Sequence, residues 1–129
     1  MDKKNSILLV DDDTFLLDMY ALKFSKSGFQ VHTANGSPQA LKLLREGLVP
    51  DIMLVDIVMP TMDGLEMIET VRREKLAPKA TVVMLTNQSQ SADIERAKTL
   101  GVDGYIVKAT TIPSEVVSEV TGIVKNHGL

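Results

Sequence analysis

Residues 50–64 read Pro50-Asp51-Ile52-Met53-Leu54-Val55-Asp56-Ile57-Val58-Met59-Pro60-Thr61-Met62-Asp63-Gly64. The apolar run from Ile52 to Val55 does not alternate, and it leads into a single acid and then a turn containing proline and glycine. A strand with one wet face alternates polar and apolar residues, whereas a continuous run fits a strand covered by helices on both faces. Three further runs have the same character: Ile7-Leu8-Leu9-Val10, Val82-Val83-Met84-Leu85 and Tyr105-Ile106-Val107. Gln30-Val31-His32-Thr33 is more polar and is predicted to be an edge strand.

Segments of helical spacing separate the five runs. Leu16, Met19, Tyr20 and Phe24 form an apolar stripe behind the capping candidates Asp13 and Thr14, with Gly28 as the stop. A second helix is predicted behind Ser37-Pro38, with Ala40, Leu41 and Leu44 inward and Gly47 at its end. The third covers Leu65 to Glu74 through Met67, Ile68 and Val71, and the fourth runs from Ala92 to Leu100 before Gly101. The last opens at Pro113-Ser114-Glu115 and turns Val116, Val120, Ile123 and Val124 inward. Five alternations of strand and helix impose parallel pairing and right-handed crossovers. The predicted fold is therefore an α/β doubly wound sandwich of five parallel strands in the order 2-1-3-4-5.

The 129 residues suit a single domain, expected over 1–129 with its core at 6–125. A composition of 44% hydrophobic and 24% charged residues is that of a globular chain, not a disordered one. Fourteen basic against seventeen acidic residues leave a net charge of −3, which lacks the electropositive footprint of phosphate-backbone binding, so no direct nucleic-acid binding is expected. The absence of cysteine removes disulfides, thiolate nucleophiles and Cys-based zinc sites. No apolar stretch near the start is long enough for a signal-peptide core or a membrane span, and a cytoplasmic protein without a membrane partner is expected.

In a doubly wound sheet, ligands bind beyond the carboxyl ends of the strands, where the strand order reverses. The residues at those ends are Asp11-Asp12-Asp13, Asp56, Thr86 and Lys108. Carboxylates gathered there repel one another and raise at least one pKa unless a cation intervenes. An all-oxygen set without His or Cys selects a hard divalent ion, and an incomplete shell suits Mg²⁺ best. Lys108 and Thr86 add a compact positive charge and a donor suited to the oxygens of a tetrahedral anion. A carboxylate between metal and lysine, with Asp56 as the central candidate, can attack phosphorus in line to give an acyl phosphate.

In combination these motifs resemble a response regulator receiver domain of the CheY-like, flavodoxin-fold family, from Ser6 to Lys125. The likeness rests on Ile7 to Asp13, Pro50 to Gly64, Met84-Leu85-Thr86 and Gly104-Tyr105-Ile106-Val107-Lys108. The resemblance implies that Asp56 is the phosphoacceptor, and that Asp11, Asp12, Asp56 and the backbone carbonyl of Val58 hold Mg²⁺. It implies that Thr86, Asn87 and Lys108 lie against the phosphoryl group. It makes Thr86 and Tyr105 a switch pair, the ring turning inward as Thr86 is drawn to the phosphate, which biases the surface of the fourth helix, fifth strand and fifth helix. The donor implied is a phosphohistidine on a sensor histidine kinase or phosphotransfer protein, and the receiver of the message is a downstream effector protein.

The sequence departs from the family pattern in places. Ala109 follows Lys108 where proline is usual, and a cis bond before alanine costs about 2.5–4 kcal/mol, so a trans bond is predicted. Asn87 is larger than the usual residue beside Thr86, and Val58 and Gln88 stand where the family tunes loss of the phosphoryl group; Val58 cannot orient a water, Gln88 can. The last helix carries no arginine, which favours a monomer or weak homodimer over an arginine-paired dimer. With the sequence ending at Leu129, no helix-turn-helix output is expected.

Plainer roles suit other residues: Asp13 as a helix cap, Met59 and Met62 as loop packing, Pro60 and Gly64 as turn residues, His32 and His127 as structural or solvated. The competing function is a small Mg²⁺-dependent phosphatase or phosphotransferase with an aspartate nucleophile, of the haloacid dehalogenase type. That motif needs Asp-x-Asp-x-Thr/Val, and Phe15 stands at its last position. A phosphorylation-activated switch, not a turnover enzyme, is therefore expected.

Overall fold

The computed structural model describes residues 5–86, 91–108 and 111–126. The strands are β1 (Ser6–Val10), β2 (Gln30–Ala34), β3 (Ile52–Asp56), β4 (Thr81–Thr86) and β5 (Gly104–Val107). The helices are α1 (Thr14–Lys26), α2 (Ser37–Arg45), α3 (Gly64–Arg73), α4 (Ser91–Thr99) and α5 (Pro113–Asn126). All strand pairs are parallel and the order is β2-β1-β3-β4-β5, as the alternation predicts.

Two core layers sandwich the sheet. Ile7 and Leu9 of β1, Ile52 and Leu54 of β3, Val83 and Leu85 of β4 and Ile106 of β5 pack with α1 and α5. Leu8 and Val10, Met53 and Val55, and Val82 and Met84 pack on the other face with α2 and α3. Alternate residues of each central strand thus serve opposite layers, which is why those strands read as unbroken apolar runs.

Local chemistry sets the helix ends. Asp13 caps α1, its side chain accepting from the Leu16 amide at 3.1 Å. Asp63 and Glu66 form a reciprocal capping box at the start of α3, at 2.7 and 3.2 Å. Thr61, in the turn between β3 and α3, has φ of 72°, a left-handed conformation uncommon for a β-branched residue.

Three sequence expectations need correction. The inward face of α1 is Leu17, Tyr20 and Phe24, while Leu16 and Met19 are half-buried. The i, i+3, i+7 spacing from Leu17 turns the helix slightly away from the predicted stripe. β5 is the second edge of the sheet and not a strand covered on both faces: Ile106 is buried, whereas Tyr105 is exposed. Ile123 of α5 is half-buried, packing beside the edge at Gly104. β2 is a polar edge, as predicted. The readings of Asn87, Gln88, the Lys108–Ala109 bond and His127 lie outside the described residues.

Candidate functional site

The rows of the sheet that face α1 and α5 end in charged groups. Two residues beyond Leu9 stands Asp11, two beyond Leu54 stands Asp56, and two beyond Ile106 stands Lys108. Strand order puts β1 and β3 side by side at the point of reversal, so Asp11 and Asp56 meet there. Asp11 and Asp56 are 1% and 3% exposed. The Lys108 ammonium, its side chain 9% exposed, donates to Asp11 Oδ2 at 2.9 Å and lies 3.4 Å from Asp56 Oδ2. Asp11 Oδ1 accepts from the Asp13 amide at 2.9 Å, tying the acidic loop to the start of α1.

Carboxylate oxygens of Asp11, Asp12 and Asp56 lie within 4.8 Å of one another, with Asp12 exposed and the other two buried. Asp56 Oδ1 is buried and has no hydrogen-bond partner among the described residues. An orphaned buried carboxylate oxygen is unfavourable, and one beside two further carboxylates is a receptor for a cation. The residues present therefore fit a hard, oxygen-loving ion.

The electrostatics follow from burial. The Asp56 carboxyl is pushed up to about 6, first by loss of solvent and then by the Asp11 charge, and Lys108 only partly offsets this. Like-charge repulsion, the cause foreseen in the sequence, is thus the second contribution. Burial alone would lower the Lys108 amine, but its hydrogen bond to Asp11 and the charges of Asp56 and Asp11 outweigh that and raise it.

Thr86 is buried at the end of β4, in register with Val107. Tyr105 pairs with Met84, two residues before Thr86. Thr86 and Tyr105 therefore share one face of adjacent strands, diagonal to each other, and Tyr105 is 41% exposed. Val58 lies two residues past Asp56 with its side chain 61% exposed. Asp13 serves as a cap, and Met59 is buried in the α2–α3 layer with Met62 packed against it.

Sequence reasoning missed the close fit behind Asp56. The Gly64 amide donates to the Ile57 carbonyl at 2.8 Å, and the Ile57 amide to the Leu85 carbonyl at 2.8 Å, fixing the strand end from both sides. It also treated Tyr20 only as core; burial raises its phenol pKa, with the charge of Lys108 opposing and those of Asp11, Asp56 and Asp13 reinforcing the shift.

Comparisons with known proteins agree with this geometry. Residues 7–120 match the family model described as the response regulator receiver domain. The DNA-binding response regulator MtrA of Mycobacterium tuberculosis is 33% identical over 117 residues, covering 91% of this chain and 49% of the relative. Response regulator SaeR of Staphylococcus aureus is 32% identical over the same length, again with 49% of the relative covered. The chain spans about half the length of these curated relatives. DNA binding in the first name belongs to that longer protein, and the comparisons lend no support to the expectation of no nucleic-acid partner.

A CheY-like receiver domain from Methanospirillum hungatei superposes with a TM-score of 0.85 at 25% identity, covering 96% of both chains. The Vibrio cholerae chemotaxis protein CheY4 shares the fold with the same TM-score at 24% identity, covering 94% of this chain and 99% of its own. No helix among the described residues is long and apolar enough to cross a membrane. A family match from the first strand into the last helix, on a sheet of this order, makes the chain a member of the response regulator receiver domain family of two-component signalling.

Proposed function

We propose that Asp56 is the phosphoacceptor of a single receiver domain spanning residues 1–129, and that Asp11, Asp12, Asp56 and the Val58 carbonyl hold Mg²⁺ beside it. The observation that carries this reading is the buried Asp56 Oδ1, without a hydrogen-bond partner among the described residues, next to two further carboxylates and a lysine. A bound Mg²⁺ would offset the carboxylate charges and help orient phosphoryl oxygens. Val58, whose side chain bears no polar atom, cannot orient a water for hydrolysis.

Asp56 Oδ attacks phosphorus of a phosphohistidine on a sensor histidine kinase or phosphotransfer protein. The O–P bond forms as the N–P bond breaks, and its electron pair stays on the imidazole nitrogen. The step needs the ionised carboxylate. Lys108 and Thr86, with Asn87 beside them, then face the phosphoryl oxygens, since the phosphoryl group adds acceptors at the place the lysine already occupies. Drawing Thr86 inward opens space on the face it shares with Tyr105, and the ring moves from its exposed position into it. The α4–β5–α5 surface changes accordingly, and an effector protein reads that change in the cytoplasm. Each domain accepts one phosphoryl group, so it works as a monomeric or weakly dimeric switch and not as a turnover enzyme.

Intact-mass measurement with Mg²⁺ and acetyl phosphate tests the assignment. One phosphoryl mass is expected on the wild type and none on Asp56→Asn. Labelling that survives in Asp56→Asn, or multiple turnover of a phosphate ester, would contradict it.

A further inference from the structure

Strands of a parallel sheet all point their carboxyl ends the same way, so the loop from β2 into α2 opens at the crevice end of the molecule. Ser37, the first residue of α2, lies there and is 0% exposed. A buried hydroxyl needs a partner, and this one reaches outside its own helix: Ser37 Oγ donates to the Met62 carbonyl at 3.1 Å. Met62 belongs to the turn from β3 into α3. That bond ties the turn from outside. From inside, the Met62 amide donates to the Pro60 carbonyl at 2.8 Å, and the Gly64 amide closes the base on the Ile57 carbonyl at 2.8 Å. Thr61, between Pro60 and Met62, has φ of 72° and an exposed side chain. A β-branched residue resists that conformation, and an exposed side chain has little packing to impose it, so its neighbours must. Met59 is buried on one flank, and on the other Ser37 holds the Met62 carbonyl.

We propose that Ser37 is a positioning residue for metal binding: its hydroxyl, through Met62, holds the turn that carries the Val58 carbonyl in one conformation before the ion arrives. This rests on the reading that Asp11, Asp12, Asp56 and the Val58 carbonyl form the Mg²⁺ site. Val58 stands two residues after Asp56 and four before Met62, in a turn whose base is fixed by backbone bonds and whose far side is fixed by Ser37. A carbonyl that is already ordered loses no conformational entropy on becoming a ligand, whereas one on a relaxed turn must be ordered at the expense of affinity. In Ser37→Ala the Met62 carbonyl loses its donor and Thr61 is released from the left-handed region. The strand-end carboxylates of Asp11 and Asp56, set by β1 and β3, are untouched. In this way α2, which supplies no ligand, acts on the ion.

Calorimetric titration of Ser37→Ala with Mg²⁺, at a temperature where every variant is folded, tests the assignment. Leu44→Ala is the packing control, since Leu44 is buried near the other end of the same helix. Ser37→Ala is expected to weaken Mg²⁺ binding about tenfold and, in the metal-free protein, to change the amide–Hα coupling at residue 61, which reports φ. Leu44→Ala is expected to lower Tm while leaving Mg²⁺ affinity within about twofold of wild type. Asparagine tolerates the left-handed region better than threonine. Adding Thr61→Asn to Ser37→Ala is therefore expected to bring affinity back to within about threefold of wild type and to restore the coupling at residue 61. Unchanged affinity in Ser37→Ala, an equal loss in Leu44→Ala, or a double variant that recovers nothing would overturn the positioning role. A wild type that binds no Mg²⁺ would instead overturn the metal-site reading on which it stands, so the two failures are distinguishable.

Discussion

Asp56 combines the requirements of an acceptor with a cost to folding. The carboxylate must be ionised to attack, yet it is almost fully buried and its pKa is raised from 3.8 to about 6. Between those values the folded state binds more protons than the unfolded chain, so the contribution of Asp56 to stability falls as pH rises through this window. Above pH 6 the penalty is fully present, on the order of 2–3 kcal/mol for a shift of this size. Without divalent metal, Asp56→Asn is therefore expected to be more stable than wild type at pH 7, with the advantage shrinking toward pH 4. Urea unfolding across that range, in the presence of a chelator, measures the difference; equal stability at every pH would refute it. The Asp was legible in the sequence as the acid ending a buried run. Its raised pKa was legible in direction but not in cause, because the depth of burial depends on how α3 and its turn close over the strand end.

At the scale of elements, the turn into α3 couples fold to chemistry. A Cβ on Gly64 would overlap the Asp56 carbonyl oxygen and come to 3.0 Å from both the Asp56 carbonyl carbon and Met84 Cε. Two of these atoms are backbone of the site residue itself, so the clash cannot be relieved by a side-chain rotation. Gly64→Ala is expected to destabilise by about 1–3 kcal/mol and to slow labelling of Asp56, because relief requires the strand end to move. Gly122→Ala in α5 provides the contrast: its Cβ meets nothing, and replacing a helical glycine there should stabilise by up to about 1 kcal/mol. Thermal melts of the two variants, with labelling rates alongside, distinguish steric contact from general glycine loss. The sequence placed Gly64 in a turn but could not reveal the contact, since glycine spacing carries no record of what approaches it. The same limit explains α1 and β5. Periodicity located both elements, but the orientation of α1 depends on contacts with α5, and the exposure of β5 depends on its being the last strand in the sheet.

Across the whole molecule, the site exists because topology joins distant segments: Lys108 and Asp11 bond across 97 residues of chain. Continuous apolar runs predicted the parallel sheet, the sheet order predicted the crevice, and the strand-end residues then identified the charged set. The residues around that set were less evenly legible: the capping box at Asp63 and Glu66 stands in the sequence as a spaced pair, whereas the hydrogen bonds that tie Ile57 to Gly64 and Leu85 are made by backbone groups and leave no mark in it. A crevice built from both halves of the chain should bind a cation only when the whole domain is folded, so binding must raise global stability. Mg²⁺ at a hundredfold excess over its Kd is expected to add about 2.7 kcal/mol, a rise in Tm of roughly 10 °C for a domain of this size. Beryllofluoride should add a further increment in the wild type that disappears in Asp56→Asn, because that increment requires the acceptor oxygen. Scanning calorimetry with and without each ion measures both steps. A Tm indifferent to Mg²⁺ would show that the clustered acids at the ends of β1 and β3 do not act as a single receptor.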